Sequence, residues 1–416
     1  MKRNNVAFCA LAAFASAFTV GADSLYVDCN GTKDYTTIQA AVDAASAGDT
    51  VWVLPGVYDA GGYVDANGYT NRVYINKSIR LVATSLNPDD THIVGALDTT
   101  PSGDVHGRGP AAVRGVYVAN GTANAVVWGF TIRGCASPSM GLPGDGGMGG
   151  GTTVPDKTAK SNWFVNCVLK DNTGARGAHA YGGYFLRCRF EDGYGTETVQ
   201  DATLVNCLVI DNPSTGTGQG NAGCGGNYLV SGGAYYNTTF YHNLNNYFAQ
   251  GLHKVYNCLL AGAGNNITYS AGAVTATHSI IGLKGDNYNA MGNVDAEHMT
   301  SIDSEVVGSN VQFFAPAFDD FRLLPGSDAI DAGDASHLSD LLATVTPPEG
   351  VDVYKDFYGN DVPKTGPVAA GCCQAVSPAP VAGAVFAKGG DFRVNGHSVS
   401  LVKYFYPDTH IPDSRG

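Results

Sequence analysis

Phe164-Val165-Asn166-Cys167-Val168-Leu169-Lys170-Asp171-Asn172 is a phrase that this chain repeats. Related phrases run from Phe185 to Gly193, Leu204 to Asn212, Tyr235 to Asn243 and Val255 to Ala263. Their central position holds Cys167, Cys188, Cys207, Thr238 and Cys258, and then His278, at steps of 21, 19, 31, 20 and 20 residues. An earlier copy, Val127-Trp128-Gly129-Phe130-Thr131-Ile132, has Phe130 in that place. The long step contains an insert, Pro213 to Asn227, made almost wholly of Gly, Ser, Thr and Asn. A period near 20 with short apolar runs and polar turns is the signature of a solenoid.

Alternation within each copy selects the kind of solenoid. Val165, Cys167 and Leu169 point to one face and Asn166, Val168 and Lys170 to the other. Leu186, Cys188, Phe190 and Val205, Cys207, Val209 repeat the apolar face. One such strand cannot bury that face alone, but a coil stacked beneath it can, as parallel strands about 4.8 Å apart. Asn172, Asn212 and Asn243 follow the strand, where Asn tolerates a left-handed turn and its amide can bond the coil above. The chain lacks the LxxLxL frame of leucine-rich repeats, and propeller blades need about 40 residues.

Outward from the repeats, Ile38, Ala41, Val42 and Ala45 fall at i, i+3, i+4 and i+7. This spacing predicts an amphipathic helix over Ile38 to Ala45, ending before Gly48 and suited to cover the open apolar end of the first coil. Asp49 to Tyr58 reads as a strand interrupted by Pro55-Gly56.

The run Tyr35-Thr-Thr-Ile-Gln-Ala-Ala-Val42, followed by Ala47 to Tyr58 (AGDTVWVLPGVY), resembles the opening of pectin-lyase-like, right-handed parallel β-helix proteins. Ser78-Ile79-Arg80-Leu81 and His92-Ile93-Val94-Gly95 fit the next strands of that opening. Arg322 to Asp334 resembles a tail found after bacterial β-helices of surface-anchored type. Asp356-Phe357-Tyr358-Gly359 fits the turn of that tail, whereas Ala369 to Gln374 replaces its usual acidic close. The resemblance covers roughly residues 25 to 375 and implies an all-β, right-handed parallel β-helix with an N-terminal capping helix. It leaves activity open, because this fold hosts lyases, hydrolases, isomerases, phage spikes and adhesins.

Four segments follow: a signal peptide over 1–22, the β-helix with its cap over 23–314, the tail over 315–375, and a linker with a short β-hairpin over 376–416. Lys2 and Arg3 precede an uncharged apolar stretch, Val6 to Val20, and the small residues Gly21-Ala22, as in a secretory signal. The predicted location is secreted or at a cell surface, with no transmembrane segment. The 416 residues contain 10 Cys, and export permits disulfides. Yet four of them lie in the apolar phrases, and Cys372-Cys373 reads equally as a vicinal bridge or a reduced pair. A net charge of −13 argues against nucleic-acid phosphates as a partner. No zinc spacing, HExxH or Lys-Ser/Thr phosphate loop is present, so no metal and no cofactor is expected.

In a β-helix the chemistry must sit on outward strand positions or loops. Arg187 and Arg189 are read as sharing the outward face of one coil, with Lys170 and His179 nearby. These bases could act on a uronate polymer as a lyase does. Ion pairing of Lys170 with Glu191 across coils, and of the arginines with turn aspartates, is the purely structural alternative. Asn206, Tyr184, Glu191 and Tyr241 complete a surface for substrate binding. Glu191, Asp192, Glu197 and Asp201 form the dense acidic patch of the repeats, without the further pairing a glycoside hydrolase needs, so a lyase is favoured over a hydrolase. The sequence thus points to an exported protein that binds, and could cleave, an acidic extracellular polysaccharide. The alternative is a non-catalytic, cell-surface or adhesive protein.

Overall fold

Val51, Leu81, Val127, Phe164, Phe185, Leu204, Tyr235, Val255 and Ala276 stand one above the next on neighbouring parallel strands. All are buried and belong to one continuous core, in which Phe164 and Phe185 stack at 4.8 Å. This column belongs to a computed structural model that describes residues 22–100, 107–138, 147–156, 161–213, 228–243, 247–250, 253–261, 266–268, 274–283, 299–303, 306–309, 311–316, 319–374, 391–394 and 397–400. The expected signal peptide up to residue 21, residues 139–146 and the insert after Pro213 lie outside the described residues.

Three long sheets of 11, 10 and 9 strands make the coil. The first begins at Ser24–Val27, the second at Gly56–Tyr58, and the third carries Thr70–Ile75 near its edge. Each coil contributes a strand to each sheet in turn, as Val126–Trp128, Thr131–Arg133 and Thr152–Thr153 do. All strand pairs of the first two sheets are parallel, so the chain is a parallel β-helix. The predicted helix forms as α1, Ile38–Ala44, with Thr37 as its N-cap. Ile38, Ala41 and Val42 are buried in the core cluster.

The alternation read from sequence breaks at one residue per coil. Asn166, Arg187, Asn206, Asn237, Asn257 and His278 have φ between 47° and 53°. This left-handed residue turns the chain sharply from the first sheet into the second. Phe164, Phe185 and Leu204 therefore face inward before the corner, and Cys167, Cys188 and Cys207 after it. Val165, Leu186 and Val205, expected inside, instead pack on the outer face against the C-terminal segment. The last copy is also displaced by one. His278 takes the corner, and Ser279 fills the cysteine column, where its hydroxyl accepts the Cys258 N–H at 3.0 Å.

A second left-handed corner falls at Asp171, Asp192, Asp211 and His242. Asn172, Asn212 and Asn243, one residue later, are fully buried and form an amide ladder instead of supplying the left-handed backbone. Asn212 Nδ2 donates to Asn243 Oδ1 at 2.8 Å, and Asn172 Nδ2 to the Ile132 carbonyl at 2.9 Å.

Residues 313–316 and 319–374 fold back over the outside of the first two sheets. Leu338, Leu341, Val345, Val353, Val362 and Val368 cover Trp163, Val165, Leu186 and Val205. Leu338 and Leu341 come from α2, Ser336–Leu342. Phe321 and Cys372 cover Leu208 and Ile210. Cys372 and Cys373 are both free thiols. Farther on, Asp391–Val394 pairs antiparallel with His397–Ser400.

Candidate functional site

The structure divides the sequence-predicted site among three places. Lys170, Arg189 and Glu191 share the outer face of the second sheet, where Lys170 pairs in register with Glu191. Lys170 Nζ lies 3.0 Å from Glu191 and 3.3 Å from Asp192. Arg189 pairs with Glu191 and, at 2.8 Å, with Asp319 of the returning segment. Burial works against both cations, but the hydrogen bonds and charges of their carboxylate partners outweigh it and raise both above their ordinary values. Cations held this way are poor proton acceptors.

Arg187 does not share that face, which corrects the sequence reading. Its left-handed corner directs it to the Asp352 carbonyl, 2.9 Å from Nη1, and burial lowers its pKa. Asn206 occupies the same corner one coil on and donates to the Val353 and Lys355 carbonyls at 2.8 and 2.7 Å. Tyr184 lies around the corner on the first sheet, stacked on Trp163 at 5.1 Å. Tyr241 is two coils farther, edge-on to Phe313 and Phe321 at 5.7 and 5.1 Å. His179 is fully buried in the asparagine ladder. Arg187, Asn206 and Tyr241 are thus occupied by the returning segment, and Tyr184 packs at its edge.

The first coils of the first sheet carry a surface that the sequence reading passed over. Tyr26 and Trp52 are register partners on neighbouring strands. They point outward, because Val27, Val51 and Val53 between them are buried in the core. Tyr26 is 40% exposed, and the Lys33 ammonium lies 5.7 Å from its ring centre. Arg80 pairs with Thr50, two residues before Trp52 on the same face. Above Arg80 opens a cleft of about 630 Å³ between the coil and the returning loop Thr344 to Glu349. Ser78, Asn124 and Ser161 line one wall, and Thr346, Pro347 and Pro348 the other. The loop is tied down by Arg80 Nη1, which donates to the Glu349 carbonyl at 3.0 Å. The alternation Val51-Trp52-Val53 was a sequence signal for an outward tryptophan. The opposite wall, some 270 residues away, had none.

No known protein family matches the sequence, and no curated protein matches it. Solved structures do resemble it. Pectate lyase Pel9A is 14% identical, over 83% of this chain and 97% of its own, with a TM-score of 0.42. A rhamnogalacturonan lyase is 14% identical over 70% and 77% of the two chains, with a TM-score of 0.36. Pectin methylesterase from Aspergillus niger is 13% identical over 69% and 85%, with a TM-score of 0.34. At these scores the similarities say nothing about activity. The parallel β-helix is read from this chain's own strand pairing.

Proposed function

We propose that this chain is an exported binding protein for acidic polysaccharides and that it holds the glycan along Tyr26, Trp52 and the cleft above Arg80. The observation that carries the reading is the juxtaposition of a guanidinium, hydroxyl and amide groups in that cleft with two neighbouring outward rings, exposed Tyr26 and half-buried Trp52. Aromatic faces offer flat apolar area to the C–H face of a sugar ring. A guanidinium pairs well with a carboxylate such as that of a uronate. Lys33 adds a second cation beside Tyr26. Tyr26 and Trp52 sit on neighbouring parallel strands, about 4.8 Å apart, so their rings follow one another along the coil axis. Cleavage is not assigned to this surface, and the Lys170–Arg189–Glu191 cluster has its cations committed to carboxylates. Location outside the cell rests on the N-terminal leader pattern. No helix among the described residues is long and apolar enough to cross a membrane.

The test is affinity electrophoresis of the purified protein in gels holding polygalacturonate or an uncharged glucan. Retardation by polygalacturonate, lost in Trp52→Ala and Arg80→Ala but kept in Arg189→Ala, is the expected result. Retardation lost in Arg189→Ala and kept in the other two would move the site to the second sheet. No retardation in either gel would favour the non-catalytic adhesive reading.

A further inference from the structure

His278 and His337 are 59 residues apart in sequence, yet His278 Nδ1 and His337 Nε2 lie 3.1 Å from each other. His278 occupies the left-handed corner that four other coils give to asparagine. His337 is the second residue of α2, so the pair joins the returning segment to the coil. Thr277 Oγ1 lies 3.2 Å from the same His337 nitrogen. The Tyr256 ring stacks on His337 at 4.5 Å and 21°, which fixes the imidazole plane. Both histidines are half-buried, so an ion with its water can reach them.

We propose that His278 and His337 bind one imidazole-preferring divalent metal ion of the zinc type, clamping α2 to the outer face of the coil. Zinc–nitrogen bonds of about 2.0–2.1 Å, with two nitrogens at the observed separation, subtend an angle of roughly 100° at the ion. That lies close to tetrahedral. Imidazole nitrogen is the donor that zinc, copper and nickel share, whereas calcium and magnesium prefer oxygen. Among the described residues no group of three or more His, Cys, Asp and Glu side chains is arranged for a metal. The remaining positions therefore fall to water and the Thr277 hydroxyl. Such a site exchanges its ion readily. The competing account is a simple N–H···N hydrogen bond, indifferent to metals.

Calorimetric titration of the metal-free full chain, made without a polyhistidine tag, with Zn²⁺ decides between them. The expected result is one equivalent bound, weakened at least tenfold in His278→Gln and in His337→Gln and unchanged in His242→Gln. Hydrogen exchange on the unaltered protein gives a second readout: Zn²⁺, but not Ca²⁺, should slow exchange of the amides of residues 336–342. Absence of stoichiometric binding, binding that survives both substitutions, or exchange in α2 that Zn²⁺ leaves unchanged would each overturn the proposal.

Discussion

His179 fills the space that Gly193 leaves in the asparagine ladder. Coils on either side present Asn172 and Asn212 to the interior, but the coil between them has Gly193 at that position. The imidazole enters from the third sheet and bridges the gap. Asn172 Nδ2 donates to Nδ1 at 3.1 Å, and Nε2 donates to Asn212 Oδ1 at 3.2 Å. A β-carbon on Gly193 would stand 2.6 Å from Nε2, so the two positions are coupled sterically.

That coupling predicts a compensating pair. Gly193→Asn alone should destabilise by about 1–3 kcal/mol through overpacking. His179→Ala alone should lose about 1–3 kcal/mol with the imidazole's two hydrogen bonds, although Asn172 Nδ2 keeps the Ile132 carbonyl and Asn212 Oδ1 keeps the Gly193 N–H. The double substitution restores a continuous amide ladder and should recover most of both losses. Urea denaturation of the four proteins measures the coupling, and strict additivity would show that the two residues act independently.

Two buried groups give stability opposite slopes with pH. Burial lowers the His179 pKa to about 3 against 6.5 in the unfolded chain, so the unfolded state binds more protons between those values. Stability is lost as pH falls below 6.5, by about 2 kcal/mol at pH 5. Burial, helped by Asp201 and opposed by Arg176, raises Glu197 to about 7, and one of its carboxylate oxygens has no hydrogen-bond partner. Its contribution is present below 4.5 and lost as pH rises through 7, by up to about 3 kcal/mol. Glu197→Gln should therefore stabilise the protein at pH 8 and do little at pH 4. His179→Gln should flatten the acid limb. Thermal unfolding across pH 4–8 reads both.

The period and the core columns were legible in the sequence because burial imposes them coil by coil. Cys167, Cys188, Cys207 and Cys258 do line one buried column. The corners were misread because one left-handed residue reverses every side chain before it. The recurring Asn166, Asn206, Asn237 and Asn257 carried the clue, since asparagine is the common non-glycine residue there. The cover over Arg187 and Asn206 had no local signal. Its contacts span 147 to 165 residues and follow from apolar patches on two segments that sequence periodicity treats separately.

The cysteine column predicts thiol protection. Backbone N–H groups of Cys167 and Cys188 point to the sulfurs of Cys188 and Cys207 at 3.4 Å, and burial pushes Cys258 up to about 12. With exposures of 1% or less, these four should resist a thiol reagent until the protein unfolds. Cys29, which is half-buried, should label ahead of them. Mass spectrometry of labelled native protein checks the order, and early modification of any of the four contradicts the register.

Lys77 supports α1 from the following coil. Its ammonium donates to the carbonyls of Val42, Asp43 and Ala45 at 3.1, 3.2 and 2.8 Å, the end of the helix where free carbonyls and the dipole favour a cation. Lys77→Met should cost about 1–2 kcal/mol. If α1 shields the apolar end of the coil, deleting residues 34–47 should do more and produce aggregates visible by light scattering. A monomeric deletion variant with the parent melting temperature would remove that role from α1.

Equivalent corner asparagines should differ in importance according to what covers them. Asn206 Nδ2 satisfies two carbonyls of the returning segment, Val353 and Lys355, from a fully buried position. Asn166 Nδ2 reaches only the Leu86 carbonyl, at an exposed site where water can replace it. Both have nearly the same left-handed backbone, φ 53° and 49°, so replacement by alanine carries the same conformational cost in each. The difference between Asn206→Ala and Asn166→Ala then reports the two buried hydrogen bonds of Asn206 Nδ2, less the relief of its buried, unpartnered Oδ1. It should reach about 2–4 kcal/mol, since an unpaired buried carbonyl costs roughly 1–3 kcal/mol. Asn206→Ala should also open the segment around Val353 to limited proteolysis, while Asn166→Ala leaves it resistant. Equal losses for the two would mean that the returning segment is held by its apolar contacts alone.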